Sequence, residues 1–317
     1  MTRTFEDSPA IRRAVNEQIG LTGASGSGKT CSSLRIATGM QRITGGDIFG
    51  IDTEANRMLA YADQFRFRHV PFTSPFDAMS YLAAVEHCVK KGAKIIIIDS
   101  ASHLHEGPGG TLEMHEAECE RLMKAWNQPR DKVQMSAWQR PKSELRRFLN
   151  TILQMPVNTI WNFRAKEKLK IIPGKQPQHL GFMPIAGDEM IYEMTLNCLL
   201  YPNSGGIPSW HPEEMGERAI IKLPQQFKEL FKESRPLDED IGQKLAEWAA
   251  GGKPADTVID IPILTAAYAA CQSADQFAKL EDQRKSVWGK IPPGDPKTQL
   301  KATSDAAKAR IAAEGKL

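Results

Sequence analysis

Along the chain, short runs of apolar residues alternate with segments in which apolar residues recur every three to four positions, as they do in helices. A run that ends at Ile19-Gly20-Leu21 precedes a glycine-rich segment, and apolar positions 34, 36, 37 and 40 then predict a helix over 31–40. The alternation continues with predicted strands at 47–51, 67–71 and 94–99, and with predicted helices at 56–63 and from about Pro75 to Gly92. This order predicts an α/β fold with a mostly parallel sheet covered by helices on both faces.

The run Lys94-Ile95-Ile96-Ile97-Ile98-Asp99 is the most apolar of the predicted strands. Four consecutive isoleucines do not alternate with polar residues, which is typical of a strand buried on both faces of a parallel sheet. We therefore expect this strand near the centre of the sheet, with Asp99 at its carboxyl end.

The second half of the chain predicts a change of architecture. A strand at 191–201, a turn at 203–206 and a returning strand at 218–223 predict an antiparallel end to the sheet, and helices follow at 227–231 and 241–250. Gly251-Gly252-Lys253-Pro254 then ends the last helix. Three further helices, at 261–270, 274–288 and 297–313, predict a small helical domain over 251–317 beside a core domain over 1–250.

Composition narrows the class of protein. The 317 residues are 41% hydrophobic and 25% charged, which is typical of a globular chain. The sequence contains no apolar run of membrane-spanning length, and its first ten residues lack the apolar core of a signal peptide. Its five cysteines are scattered without a C-x-x-C pair, so we expect neither disulfides nor a zinc site, and a reducing, cytoplasmic location without a membrane partner.

The segment Gly23-Ala24-Ser25-Gly26-Ser27-Gly28-Lys29-Thr30 matches the phosphate-binding loop G-x-x-x-x-G-K-[ST] at every fixed position. It lies between a predicted strand and a predicted helix, which is the context that this loop requires. Its glycines allow backbone N–H groups to surround a β-phosphate, Lys29 reaches the β- and γ-phosphate oxygens, and Thr30 is a ligand for Mg²⁺. We therefore predict that ATP and Mg²⁺ are the cofactors, bound by residues 23–30 and by the adjoining Cys31.

Acidic residues follow two of the predicted strands. Asp99 is the predicted second Mg²⁺ ligand beside Thr30, with Ser100 as its neighbour. Asp52 and Glu54 follow the strand at 47–51; one of them can activate the attacking water while the other caps the next helix. We favour Glu54 as the catalytic base.

Basic residues are concentrated in one segment of the chain. Between Arg130 and Lys175 there are eleven basic residues and three acids, so this segment carries +8 and the remainder of the chain −5. Trp126, Trp138, Trp161 and Phe163 lie in or beside it, and a basic surface with aromatic residues is typical of single-stranded nucleic-acid binding. The alternative is a solvated basic helix face.

The loosely spaced His103, His105 and His115 do not predict a metal site.

The motif order resembles the ATPase core of the RecA recombinase family, and more narrowly the short RecA-like ATP-binding recombination and annealing proteins of bacteriophages. The resemblance rests on GASGSGKT at 23–30, IDTE at 51–54, IIIIDSAS at 95–102 and WNFRAK at 161–166, and it covers roughly residues 15–223. It implies a RecA-like P-loop core, with Glu54 as the catalytic carboxylate and Asp99 on the metal. Asn162 stands where RecA has a glutamine that senses the γ-phosphate.

The resemblance also implies DNA contacts. It places two DNA-binding loops at about 103–110 and 165–189, so that basic residues there would contact phosphates; the candidates are Arg164, Lys166, Lys168, Lys170 and Lys175. Arg164 and Lys166 could instead act on the ATP of a neighbouring subunit. The implied partners are single-stranded DNA, further copies of the chain in a filament or ring, and a single-strand binding protein, with a location in the cytoplasm of the host cell.

Two functions therefore compete at this stage. The favoured one is a DNA-stimulated ATPase for recombination or single-strand annealing. The alternative is a P-loop ATPase that remodels or loads proteins in phage DNA replication, and a small-molecule phosphotransferase is a more distant third, because a fold alone does not determine a function.

Overall fold

The computed structural model describes residues 12, 14–170, 178–210, 221–251, 261–288 and 294–313. Contacts between Cα atoms divide the chain after Ala250 into two compact units, one of which is Val15–Ala250. The strands are β1 Gln18–Gly23, β2 Asp47–Asp52, β3 Arg68–Pro71, β4 Ala93–Asp99, β5 Asn158–Lys170, β6 Gln178–Pro184 and β7 Leu196–Leu200. The α-helices of the first unit are α1 Lys29–Thr44, α2 Ala78–Lys90, α3 His103–Glu106, α4 Thr111–Trp126, α5 Arg130–Val133, α6 Gln139–Leu153, α7 Asp188–Tyr192 and α8 Glu239–Ala250.

The sheet has the strand order β3-β2-β4-β5-β1-β7, and every pair along this order is parallel. β6 pairs with β5, in antiparallel orientation. The register aligns Asp52 with Asp99 and Asp99 with Asn162, so the carboxyl ends of β2 and β4 lie beside Asn162 within β5. The predicted α/β fold with a mostly parallel sheet is confirmed.

β4 is central and buried, as its isoleucines predict. Ile95 to Ile98 are fully buried, and their side chains alternate between the two faces. Ile95 and Ile97 join a core beneath α1 and α8, whereas Ile96 and Ile98 join the core formed with α2 and α6. Hydrophobic cores therefore cover both faces of the sheet.

Glycine allows α1 and α8 to approach closely. A Cβ atom at Gly39 would lie 1.8 Å from the carbonyl oxygen of Glu239, and one at Gly242 would lie 2.1 Å from that of Ile36. The two helices touch through backbone at these positions, so α8 is held against the helix that follows the phosphate-binding loop.

Several predicted elements are wrong in type or extent. The predicted helix at 56–63 is a 3₁₀ helix at Arg57–Tyr61, because Ala55 and Asn56 turn the chain with positive φ and the Asp52 carboxylate holds the N–H of Met58. The predicted strand at 191–201 begins only at Leu196. Before it lies the short helix α7, whose first turn carries two acids that favour a helix N-terminus. The predicted helix at 227–231 is a 3₁₀ turn at Gln225–Phe227.

The antiparallel end of the sheet is reduced to single bridges in the described residues. Lys222 pairs with Asn197 and Ser209 pairs with Leu199, both in antiparallel orientation. Residues 218–220 of the predicted returning strand lie outside the described residues.

The second unit contains the three predicted helices. They are α9 Ile261–Ala270, α10 Ala274–Val287 and α11 Asp295–Ala313. Their core includes Leu264, Tyr268, Phe277 and Leu300. Ser273 caps α10 by accepting a hydrogen bond from the N–H of Gln276, so its local sequence specifies where this helix begins.

Candidate nucleotide site

The glycine-rich loop leaves β1 and enters α1 in a conformation that requires its glycines. Gly26 and Gly28 have φ values of 76° and 90°, in the left-handed region that side chains disfavour. A Cβ atom at Gly23 would lie 2.4 Å from Ser27 Oγ and 2.6 Å from the carbonyl oxygen of Leu200. The loop conformation therefore requires glycine at all three positions, Gly23, Gly26 and Gly28.

Lys29 begins α1 and turns back under the loop. Its Nζ donates hydrogen bonds to the carbonyl oxygens of Gly23 and Ala24, at 2.9 and 2.8 Å. Burial lowers the pKa of Lys29, while the carboxylates of Asp99 and Glu54 act in the opposite direction. The ammonium group is thus held next to the segment where the motif would bind phosphate.

Thr30 and Asp99 meet at the predicted metal position. Thr30 Oγ1 donates to Asp99 Oδ2 at 2.5 Å, and Asp99 is 6% exposed. Burial raises the pKa of Asp99, and the hydrogen bond from Thr30 opposes this shift. A hydroxyl and a carboxylate are the oxygen donors that Mg²⁺ prefers, so these two side chains fit the predicted ion. Ser100 does not join them, because its hydroxyl accepts a hydrogen bond from the N–H of Ser102.

Asn162 lies beside Asp99, within β5, and is fully buried. Its Oδ1 accepts a hydrogen bond from Ser33 Oγ at 2.6 Å, and its Nδ2 has no hydrogen-bond partner among the described residues. The sequence analysis did not identify Ser33. The signal was available, because Ser33 lies one helical turn after Lys29 on α1 and therefore on the same face.

Glu54 follows β2 and its carboxylate pairs with two arginines. Arg164 contacts Glu54 Oε1 through Nη2 at 2.6 Å and through Nε at 2.8 Å, and Arg57 Nη1 lies 3.4 Å from Oε2. The predicted catalytic carboxylate is therefore in the same cluster as a residue that was predicted to contact DNA.

Asp52 has the capping role that was the alternative for one member of the acidic pair. Its buried carboxylate accepts hydrogen bonds from the N–H groups of Glu54 and Met58, at 2.8 and 2.9 Å, and lies 3.1 Å from His69 Nε2. These contacts fix the turn that carries Glu54.

A cleft of about 460 Å³ brings these groups together. Its lining consists of Ser25, Gly26, Gly28, Lys29, Thr30, Glu54, Arg57, Tyr61, Asp99, Arg164 and Ala165. Arg57 and Tyr61 were missed by the sequence analysis, although they follow Glu54 by three and seven residues. Four predicted cofactor-binding residues are not in the lining, namely Gly23, Ala24, Ser27 and Cys31. The carbonyl groups of Gly23 and Ala24 accept hydrogen bonds from Lys29, Ser27 is buried, and Cys31 lies near Arg35 and Glu239. A larger cleft of about 690 Å³, near Pro75 and Arg121, contains none of the phosphate-loop residues.

The predicted DNA-binding loops have more regular structure than expected. Residues 103–106 form α3, and 188–189 begin α7. Because β5 continues past the site and pairs with β6, residues 165–170 and 178–184 form the strands of an antiparallel hairpin; residues 171–177 lie outside the described residues. Lys166, Lys168 and Lys170 are on β5, and the Lys166 side chain is exposed. Lys175 lies outside the described residues.

Two of the four predicted stacking aromatics are unavailable for bases. Trp161 and Phe163 are fully buried in the core. Trp138 stacks on His115 with ring centroids 4.0 Å apart, whereas Trp126 is 52% exposed. The basic segment is also partly neutralised, since Arg130, Arg140 and Lys142 pair with Glu116, Glu144 and Glu189.

In the described part of the chain, no cluster of three or more His, Cys, Asp or Glu residues could hold a metal ion. None of the described helices combines the length and the apolar character needed to cross a membrane.

The parallel sheet, the loop before α1 and the Thr30–Asp99 pair together define a P-loop nucleoside triphosphatase. A family model described as an AAA domain matches residues 16–198, more than half of the chain, and the chain belongs to that family. A comparison with curated proteins found no match. P-loop domains of this family generally bind ATP with Mg²⁺, so the family indicates an ATPase.

Proposed function

We propose that this protein is an ATP-dependent DNA recombination or single-strand annealing protein of the RecA-like kind that bacteriophages encode. It binds single-stranded DNA as an oligomer and hydrolyses ATP. Bound Mg²⁺ would neutralise phosphate charge in the nucleotide cleft. Lys29 would hold the phosphates, Thr30 and Asp99 would hold the metal, and Glu54 would accept a proton from the attacking water.

One observation carries the DNA-binding part of this proposal. β5 is continuous from Asn158 to Lys170, so the strand that places Asn162 beside Asp99 also carries Lys166, Lys168 and Lys170. At about 3.3 Å per residue, Lys166 is only about 13 Å along the strand from Asn162. Phosphates bound by these lysines would therefore act on a strand that forms part of the nucleotide site.

Arg164 supports the same connection between the two sites. Its guanidinium contacts Glu54 in the cleft, and its backbone carbonyl accepts a hydrogen bond from the N–H of Ile185, just after β6, at 2.7 Å. Displacement of the hairpin by a bound strand would consequently move a direct partner of Glu54.

The test is ATP hydrolysis with and without single-stranded DNA at two salt concentrations. We expect a salt-sensitive increase in the wild-type rate with DNA, and loss of hydrolysis in Glu54→Gln. Lys166→Ala should lower the slope of log affinity against log salt by about 0.7, the value for one phosphate contact on a single strand. Lys132→Ala is the matched control, because Lys132 is also exposed but lies in α5.

A rate that does not respond to DNA would contradict the recombination function. It would favour the protein-remodelling alternative, and the search for a partner would then turn to proteins. An equal effect of Lys132→Ala and Lys166→Ala on the salt slope would show that DNA does not bind specifically at the hairpin.

A further inference from the structure

The Thr53 side chain joins the two strands that carry the acidic residues of the site. Its Oγ1 accepts a hydrogen bond from the N–H of Ser100 at 2.8 Å and lies 2.7 Å from His103 Nδ1. The N–H of Thr53 also donates to the carbonyl oxygen of Asp99 at 2.8 Å. Thr53 directly precedes Glu54, so these contacts fix Glu54 relative to Asp99.

His103 is held rigidly on the other side of this hydroxyl. Its ring stacks on Phe76 with centroids 4.9 Å apart and an interplanar angle of 25°. Its carbonyl oxygen accepts a hydrogen bond from the N–H of Gly107 at 2.8 Å. Burial lowers the pKa of His103, with Arg164 adding to the shift. The Thr53 hydroxyl donates its proton to the carbonyl oxygen of Ser100 at 3.0 Å, so in the contact with His103 the hydrogen is on Nδ1 and Thr53 Oγ1 accepts it.

The residue before α3 also contacts Arg164, the arginine that pairs with Glu54 Oε1. Ser102, the residue before His103, accepts a hydrogen bond at Oγ from the N–H of Arg164 at 2.8 Å. Ser102 therefore contacts Arg164, which pairs with the Glu54 carboxylate, and His103 contacts Thr53, which precedes Glu54 in the chain.

We propose that His103 is a positioning residue for Glu54, acting through the hydroxyl of Thr53. This inference rests on the proposed function, in which Glu54 activates the attacking water. His103 does not line the nucleotide cleft. Its contribution is to hold the turn that carries Glu54 at a fixed distance from Asp99, and a base displaced by a fraction of an ångström loses much of its effect on rate.

Two substitutions remove the contact while preserving shape. Thr53→Val replaces the hydroxyl with a methyl group, and His103→Phe retains a ring that can stack on Phe76 but lacks Nδ1. We expect each to lower kcat about tenfold, with the Kd for ATP unchanged within about twofold, because the phosphate-binding groups are not altered. The double variant should be no slower than the slower single variant, since both remove the same contact.

Two controls separate positioning from packing. Thr53→Ser keeps the hydroxyl and should retain most of the wild-type kcat. Thr38→Val makes the same chemical change on α1, where the hydroxyl bonds only to the carbonyl oxygen of Leu34, and should leave kcat unchanged. Thermal unfolding of each variant gives the loss of stability separately from the loss of rate.

The outcomes are distinguishable. Wild-type kcat in Thr53→Val and His103→Phe, together with loss of hydrolysis in Glu54→Gln, would overturn this inference and leave the proposed function intact. A fall in kcat no larger than that in Thr38→Val would also overturn it. Absence of ATP hydrolysis in the wild-type protein would overturn both.

Discussion

Nη2 of Arg164 lies 2.6 Å from Oε1 of Glu54, and Nε of the same guanidinium lies 2.8 Å from that oxygen. The Glu54 side chain is 13% exposed and that of Arg164 is 39% exposed, so the pair lies at the mouth of the nucleotide cleft. An oxygen that already accepts two charge-assisted hydrogen bonds is less available than a free carboxylate oxygen to accept a hydrogen bond from water. The pair with Arg164 therefore restrains Glu54, the predicted catalytic base.

Removing this restraint should raise the rate of hydrolysis without DNA. We expect Arg164→Ala to increase the basal ATPase rate roughly three- to tenfold and to reduce the stimulation by DNA, since Glu54 Oε1 then becomes free to accept a hydrogen bond from the attacking water. Arg57→Ala is the control, because Arg57 contacts Glu54 at 3.4 Å and is 75% exposed. Loss of all activity in Arg164→Ala would instead indicate that Arg164 acts on phosphates, in its own subunit or in a neighbouring one.

Lys29 should be essential for nucleotide binding. Because its ammonium group is half-buried beside the loop and lines the cleft, Lys29→Ala removes a charged donor from the predicted phosphate position. We expect the Kd for ATP to rise at least about tenfold, the usual effect of losing a hydrogen bond to a charged group. Equilibrium binding of ATP measures this. Lys90→Ala, an exposed lysine on α2, should retain the wild-type Kd, and equal binding by Lys29→Ala would exclude phosphate contact by this residue.

Asp52 should be important for stability as well as for the site. Asp52→Ala leaves the N–H groups of Glu54 and Met58 without their acceptor, and we expect the free energy of unfolding to fall by about 3 kcal/mol. Chemical denaturation measures the loss. Asp47→Ala, at the other end of β2, removes only an exposed pair with Arg68 and should cost less than about 1 kcal/mol. Equal losses would show that the turn is held by other contacts.

The helical unit should lose stability in acid through Glu281. Hydrogen bonds from Arg284, Ser304 and Tyr268 lower the pKa of Glu281 to about 2 from an ordinary value of 4.5. A lowered pKa in the folded state means that the stabilisation is complete above about pH 4.5 and is lost as the pH falls towards 2. Hydrogen exchange in α9–α11 of the full chain should show Glu281→Gln less protected than wild type at pH 7, with the difference shrinking towards pH 2.

The neighbouring Asp282 provides the control for the acid experiment. It is exposed, so Asp282→Asn should match the wild type at each pH. A difference between Glu281→Gln and wild type that is constant from pH 7 to pH 2 would contradict the ionic role of Glu281.

Local patterns in the sequence were sufficient for the parts of the protein that depend on nearby residues. The glycines and Lys29 specify the loop because the backbone conformation and the charged group that it needs are all encoded within eight consecutive residues. The four isoleucines predict the buried β4, and Asp99 follows it directly. The three C-terminal helices were also predicted correctly, because helix periodicity and caps such as Ser273 are local signals.

The tertiary structure decided which distant residues meet. Glu54 and Arg164 are 110 positions apart, and they pair because the strand register places the carboxyl ends of β2 and β4 beside Asn162 of β5. The same pairing of strands buries Trp161 and Phe163, which composition alone had associated with DNA. It also extends β5 into a hairpin where a loop was expected. Strand register and burial are set by contacts between remote segments, so a single sequence determines the phosphate-binding loop directly but leaves the partners of Glu54 to the fold.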